Sequence, residues 1–405
     1  MSSFKAPPPK NSLQNSDSFD SELGGQYSLL APGPVNLHPR VREVLSEPMM
    51  HHRIPAFDAI LARVLKRLKN VFATEERVYL HTSTGTGGME SLLVNTLSRG
   101  DRVLAIVSGK FGERWAEMAR IFGCDVEEIA VPWGEAVNPQ IISEKLMRGN
   151  YKAVLCQACE TSTGVFHPIK ELGNLVSVYE DTLFLVDGIT AVGAFPLPMD
   201  EWHIDGLVAG SQKAFMLPTG LSIVSFSQKA QKCFEKANLP RFYFDIRAEQ
   251  KANAKGETFF SSNVILVKAM DVVLDLFEDK GIPALYAEIH RRAEMTRAFA
   301  QKQGMDLFAK RPSDSLTAIV LPTGVDSQKV RGELEKKDNI TLMGGQDQAK
   351  GKILRIGHMG YITDVEMLNL FKNLTLRIQD EGVALPLNPN EIEKAMKNWI
   401  GEYRG

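Results

Sequence analysis

The stretch TLFLVDGITAVGAFPLPMDEWHIDGLVAGSQKAF, residues 182–215, carries the reading of this chain. It opens with a short apolar run that ends in an acid, Asp187. It closes on a second apolar run, GLVAGS (206–211), with Lys213 just beyond. Short apolar runs bounded by turn residues read as strands buried on both faces. The same pattern continues outward. Upstream lie KAVLCQA (152–158), VEEIAV (126–131) and VLAIV (103–107); downstream lies LSIVSFS (221–227). Amphipathic runs over Phe111–Gly123, Gln140–Arg148 and Ile169–Glu180 separate the upstream strands. Strands alternating with helices predict crossover units and a mostly parallel sheet covered on both faces, an α/β fold. The ligand crevice of such a sheet lies at the carboxyl ends of its strands.

The flanks fill out the organisation. Ile60, Leu61, Val64, Leu65, Leu68, Val71 and Phe72 recur at helical spacing, and two long helical patterns run from 264 to 304. Residues 305–385 mix the strands LTAIVLP and KILRIG with helices over Gln328–Lys337 and Asp364–Gln379, which predicts a smaller α+β domain. Residues 1–26 are rich in Ser, Pro, Asn and Asp and predict a disordered arm. They lack the apolar core of a secretory signal, and Asp17, Asp20 and Glu22 do not suit a transit peptide. The last residues predict a short helix capped by Asn390 with Glu393. The expected division is an arm at 1–26, a large domain at 27–280, a small domain at 281–385 and an appendage at 386–405. No internal repeat is visible.

Composition narrows the class. The chain has 405 residues, with 47 Lys+Arg against 49 Asp+Glu. That balance leaves no electrostatic footprint for nucleic acid or anionic lipid. No apolar run reaches the length of about 18 residues that reads as a membrane span. Four cysteines cannot staple a chain this long, so a reducing, cytoplasmic setting is expected. Cys156 and Cys159 form CxxC inside an expected buried strand and read as core; no histidine has metal-ligand spacing, so no metal site is expected.

Three features at the strand ends carry chemistry. After Val78–His81 comes TSTGTGGME (82–90), which opens an apolar helical run. Small hydroxyl residues and glycines at a helix start present free backbone N–H groups to an anion such as phosphate, although a plain Gly-rich turn has the same spelling. Asp187 leaves its strand as either a turn cap or a carboxylate aimed at a cationic ring nitrogen. Lys213 follows its strand as either a surface lysine or a Schiff-base lysine. Together they match pyridoxal phosphate, which needs a lysine, an acid for its pyridine nitrogen, a phosphate cradle and a flat face to stack on, here Phe111.

At these residues the sequence resembles the class V, fold-type I pyridoxal-phosphate aminotransferases, in the alanine–glyoxylate / serine–glyoxylate (serine–pyruvate) group. The matching segments are APGPVNLHPRV, TSTGTGGMES, GKFGERW, ETSTGV, LVDGITAVGA, GSQKAFMLPTG and LRIGHMG, spread from Leu30 to Leu376. The last, with GGQDQ before it, is most similar to bacterial members once labelled as a soluble hydrogenase subunit. The resemblance implies the fold-type I architecture, with a large domain on a seven-stranded-type, mostly parallel sheet. It implies an internal aldimine on Lys213, which then moves the substrate proton as a base, with Asp187 as the acid on the pyridine nitrogen. It implies Ile189 on one ring face and Phe111 on the other, where the family commonly has Trp. Thr84, Gly85, Thr86 and Gln212 match phosphate positions. Ser162 matches a residue near the phenolic oxygen and the substrate. Arg355 matches the arginine that grips the substrate carboxylate, and Gly33 lines the pocket through its backbone. Family members are homodimers with active sites at the subunit interface, which implies that Phe259 and Ser262 reach the partner's phosphate site. There TFFSSNV departs from the family, with Asn263 for the usual proline and no hydroxyl on Phe259.

The activity implied is ping-pong transfer of an amino group from a small L-amino acid, alanine or serine, to glyoxylate or pyruvate. Alternatives are a same-fold aminotransferase for aspartate or phosphoserine, with Arg53 as the candidate second cation, or a pyridoxal-phosphate lyase. A desulfurase-type lyase needs a mobile cysteine well after the lysine, and the last cysteine is Cys233. A non-catalytic scaffold would have lost the lysine or the acid, and both are present.

Overall fold

A computed structural model describes residues 27–404, so the expected N-terminal arm at 1–26 lies outside the described residues. The large sheet has seven strands: β1 (Val78–His81), β2 (Arg102–Val107), β3 (Asp125–Ala130), β4 (Ala153–Gln157), β5 (Leu183–Asp187), β6 (Gly206–Gly210) and β7 (Ser222–Phe226). Their spatial order is β1-β7-β6-β5-β4-β2-β3. The mostly parallel sheet expected from the apolar runs is therefore present. Only β7 runs against the rest; it pairs antiparallel with β1 and with β6.

The uniform apolarity of these strands has a direct cause. Alternate side chains face two separate cores. Leu104, Ile106, Val154, Cys156, Phe184, Val186 and Leu207 pack on one face. Val103, Ala105, Leu155, Leu183, Leu185 and Val208 pack on the other. Helices α1 (Pro55–Phe72), α4 (Pro139–Arg148), α5 (Ile169–Ser177) and α6 (Val264–Lys280) supply the first core. Helices α2 (Gly85–Thr96) and α3 (Lys110–Ile121) supply the second, through Met89, Leu92, Trp115 and Ala119. All four cysteines are buried and unpaired.

Helix α7 (Ile282–Lys302) leads into the second body. There a three-stranded antiparallel sheet, β8 (Leu316–Val320), β9 (Met343–Gly344) and β10 (Ile353–Gly357), has β10 at its centre. Helices α8 (Ser327–Asp338), α9 (Asp364–Asp380) and α10 (Pro389–Arg404) complete it. Phe299 stacks on Phe371 at 4.4 Å in its core. The N-terminal Ser28–Leu29 pairs in parallel with Ile340–Thr341, and Leu30 is buried in the same core. This pairing brings Gly33 to the sheet ends of the other body.

The expected cap of the last helix is corrected. Asn388, not Asn390, accepts from the backbone N–H groups of Asn390 and Glu391, and Glu391 accepts from the N–H of Asn388. Pro389 at the first helical position sets this start, because its fixed φ suits that position and its missing N–H is not needed there. Glu393 instead pairs with Lys372 and Lys397. The helix buries Ile392 and Met396 against the C-terminal core.

Candidate active site

Six parallel strands end at one edge of the sheet, and the segments after five of them, β1, β2, β4, β5 and β6, carry expected residues. Lys213, in the turn at 211–215 that follows β6, is 9% exposed. Its Nζ donates to the Pro32 carbonyl oxygen at 2.8 Å. Burial lowers its pKa to about 8, with Asp187 opposing the fall. The amine is thus far closer to its neutral, nucleophilic form than a surface lysine. Gly33 is required where it stands. A Cβ there would sit 2.4 Å from Lys213 Nζ, and its φ of +128° disfavours any side chain. Gly33→Ala is expected to displace the lysine and cut cofactor uptake at least about tenfold, because the clash and the backbone strain each cost about 1–3 kcal/mol. Titrating the purified variant with the cofactor checks this.

Asp187 ends β5 beside Gln157 of β4 and Val208 of β6. Its Oδ1 accepts from the Ile189 N–H at 2.9 Å. Burial pushes its pKa up to about 7, and Glu160 adds to the rise; the Ile189 N–H and Lys213 oppose it. A buried carboxyl held this high gains from a cationic partner such as a protonated ring nitrogen. The sign for stability follows. The folded protein favours the neutral acid, so charging it costs stability as pH rises from about 4 to about 7. Asp187→Asn is therefore expected to raise the stability of the cofactor-free protein at pH 8 by about 2 kcal/mol while crippling turnover. Parallel melts at pH 4 and pH 8 check it, since the gain shrinks as pH falls and has nearly vanished at the lower pH.

The cradle is helix α2. Its N-cap, Thr84, makes no side-chain cap, so the first-turn N–H groups of Gly85 and Thr86 are not satisfied by it. A Cβ at Gly85 would lie 2.5 Å from Ile189, so the cradle and the expected ring-face residue touch. Thr86 Oγ1 accepts from Arg114 at 3.4 Å, and the same guanidinium lies 4.8 Å over the Phe111 ring. Gln212 has a buried Oε1 without a partner.

Ser162 and Arg355 face the site from two sides. Ser162 Oγ accepts from the Lys110 N–H at 3.1 Å and donates to Glu160 at 2.6 Å. Arg355, on β10, is 6% exposed and has no carboxylate in ion-pair contact among the described residues. It donates to the carbonyls of Gly344 and Thr161, both at 2.9 Å. Burial lowers its pKa to about 10, with Glu160 opposing. A buried cation left without an anion is costly, and a substrate carboxylate would relieve that cost.

Phe259 and Ser262 do not join this cluster within one chain. Phe259 is exposed and lines a separate cleft of about 590 Å³ together with Arg53, which is ion-paired to Glu257. Ser262 borders a small cleft with His81 and Thr82, on the approach to α2. Two further residues of the site, Glu160 and Gln157, were not singled out by sequence reasoning. Glu160 was spelled in ETSTG, but nothing in its spacing says that four donors would close on it. Gln157 ends β4 with both amide atoms buried and unpartnered, the kind of orphan that signals a missing polar neighbour. Among the described residues no group of His, Cys, Asp or Glu is placed to hold a metal ion, and no helix is long and apolar enough to cross a membrane.

The donor set fits pyridoxal phosphate: an uncapped helix start, an orphaned buried glutamine oxygen, a buried acid raised toward neutrality and a buried lysine lowered toward it. Known proteins agree. The class-V aminotransferase family model matches residues 41–368. An L-aspartate–glyoxylate aminotransferase of Paracoccus denitrificans is 36% identical over 90% of this chain and 94% of its own. A serine–glyoxylate aminotransferase of Methylorubrum extorquens is 34% identical over 89% of this chain and 93% of its own. The crystal structure of an alanine–glyoxylate aminotransferase from Nostoc sp. superposes with a TM-score of 0.84 at 28% identity, covering 87% of this chain and 95% of that one. The chain belongs to the class-V aminotransferases and is a pyridoxal-phosphate-dependent transaminase.

Proposed function

We propose that this enzyme transfers the amino group of a small L-amino acid, alanine or serine, to glyoxylate or pyruvate in a ping-pong cycle. The observation that carries the substrate class is Arg355, a buried guanidinium that donates to two carbonyls and meets no carboxylate among the described residues. One anchor suits a monocarboxylate substrate, and its planar fork suits a carboxylate better than a lysine would. Bound pyridoxal phosphate supplies the electron sink for the substrate's Cα–H bond. The chain's residues do the rest. The Gly85 and Thr86 N–H groups, Thr84 and Gln212 hold the phosphate. Asp187 holds a proton at the ring nitrogen. Ile189 and Phe111 enclose the ring and exclude water. Ser162 would lie near the phenolic oxygen, and Gly33 would line the substrate pocket through its backbone. Lys213, with its lowered pKa, takes and returns the Cα proton.

The working unit in this reading is a cytoplasmic homodimer in which Phe259 and Ser262 of each subunit complete the partner's phosphate site. Exposed Phe242, Tyr243 and Phe259 support it as apolar surface that a second copy would cover. The large body is taken as 27–280, the small one as 281–385, with 386–405 appended to it.

Aspartate as donor is the second reading, favoured by the name of the Paracoccus relative. It needs a second cation, and Arg53 is committed to Glu257 in the separate cleft. Steady-state assays with glyoxylate test the choice. Alanine or serine is expected to exceed aspartate in kcat/KM at least about tenfold, the ratio expected from one unmatched charge at a buried site. Aspartate in the lead would replace the first reading by the second.

A further inference from the structure

We propose that Glu160 is a positioning residue that fixes both the polarity of the Ser162 hydroxyl and the seat of the Phe111 ring. The inference rests on the reading of Ser162 and Phe111 as cofactor contacts. Glu160 is fully buried, at the end of the two-residue strand Cys159–Glu160 that follows β4 and pairs with Val165–Phe166. One carboxylate oxygen accepts from the Gly112 and Phe111 N–H groups at 3.0 and 3.1 Å, the first turn of α3. The other accepts from the Ser162 N–H at 3.1 Å and the Ser162 hydroxyl at 2.6 Å. The helix start that carries the ring is thus held by a buried anion, as the positive end of a helix favours. The next residue, Thr161, gives its carbonyl to Arg355. One short loop therefore ties the ring platform, the hydroxyl and the substrate arginine.

The backbone around it is cut to fit. A Cβ at Gly109 would lie 2.3 Å from Ser162 Oγ and 2.7 Å from Glu160 Cδ. One at Gly112 would lie 2.7 Å from the Ile106 carbonyl oxygen. A side chain at Gly109 would push against the carboxylate and the serine, and one at Gly112 would push the start of α3 off β2.

The polarity of Ser162 follows from counting donors. Its oxygen receives the Lys110 N–H, and its proton is committed to Glu160. What it turns to the crevice is a lone pair, so it can accept there but cannot donate. Glutamine at 160 would reverse this. With its amide oxygen on the α3 N–H groups, its NH2 would face the Ser162 N–H, which loses its acceptor, and would donate to the Ser162 hydroxyl, freeing the hydroxyl proton to point at the cofactor's phenolic oxygen.

The test is a double-mutant cycle on the holoenzyme, read by absorption and by cofactor affinity. E160Q is expected to shift the bound cofactor's absorption band at constant pH and to raise its dissociation constant about tenfold or more, as for the loss of hydrogen bonds to a charged acceptor. In an S162A background, E160Q is expected to produce no band shift while still weakening affinity through α3. An unshifted band in E160Q, or an equal shift with and without the serine, would overturn the proposal. Should E160Q fail to fold, E160D enters the same cycle, because its shorter arm breaks the 2.6 Å bond while keeping the charge. Wild-type protein that takes up no pyridoxal phosphate would overturn this proposal together with the proposed function, whereas a normal wild type with silent variants overturns this proposal alone.

Discussion

Lys213→Ala is expected to abolish transamination, with a loss of about 10⁴-fold or more in kcat, because in the proposed cycle one group supplies both the amine nucleophile and the proton carrier. Alanine leaves the proton transfer to solvent, and the site is buried. Arginine does not rescue. It keeps the charge but cannot deprotonate near neutral pH, whereas the buried lysine is lowered to about 8. The loss is chemical rather than structural. Folding without this lysine relieves a desolvation cost, since its folded pKa lies below its ordinary value. That cost grows as pH falls from about 10.5 toward about 8, so the variant is expected to melt no lower than wild type at pH 7. Stopped-flow turnover together with thermal melts of the cofactor-free proteins separates the two effects. The rate at which wild-type apoprotein takes up the cofactor is expected to rise with pH through about 8, as the amine loses its proton.

Arg355 gives the second large effect. Arg355→Lys is expected to lower kcat/KM for small amino acids by about 10²–10³, mostly through KM, because a point charge replaces a two-pronged donor. Arg355→Met removes the charge and is expected to lose more. Stability should barely change. Among the described residues the arginine meets no carboxylate, so its burial is a cost offset by two bonds to carbonyls. Replacing it by an apolar side chain of similar length is expected to leave unfolding within about 1 kcal/mol of wild type. An arginine with a purely structural role would show the opposite pattern, a large drop in melting temperature with little change in KM. Chemical denaturation and steady-state kinetics on the same preparation decide between them.

Much of this site can be read from sequence because strand exits are local features. A buried strand announces itself by its apolar run, and the residue just past it falls in the crevice by topology. That is why Asp187, Lys213 and the Thr84–Thr86 turn are visible before any coordinates. Residues that act through tertiary contact are less visible. Glu160 sits two residues from Ser162, yet its partners on α3 are about fifty residues away. Gln157 looks like any strand terminus until both of its amide atoms prove to be buried. The N-cap of α10 was misplaced by two residues because both Asn388 and Asn390 precede an acid at capping distance, and Pro389 breaks the tie. The pairing of Ser28–Leu29 with Ile340–Thr341 leaves no sequence signal, since two residues carry no period. Phe259 and Ser262 differ again. Their proposed role lies in a second subunit, which a single chain does not display.

The most direct measurement is the isolated half-reaction. Holoenzyme is mixed with one amino acid at a time, without an acceptor, and the bound cofactor is followed by absorption. L-Alanine or L-serine is expected to convert it to the amine form in a single turnover, and added glyoxylate to restore the starting spectrum. A cofactor spectrum that no amino acid alters, or that changes with amino acid but does not return with any 2-oxo acid, would contradict the account.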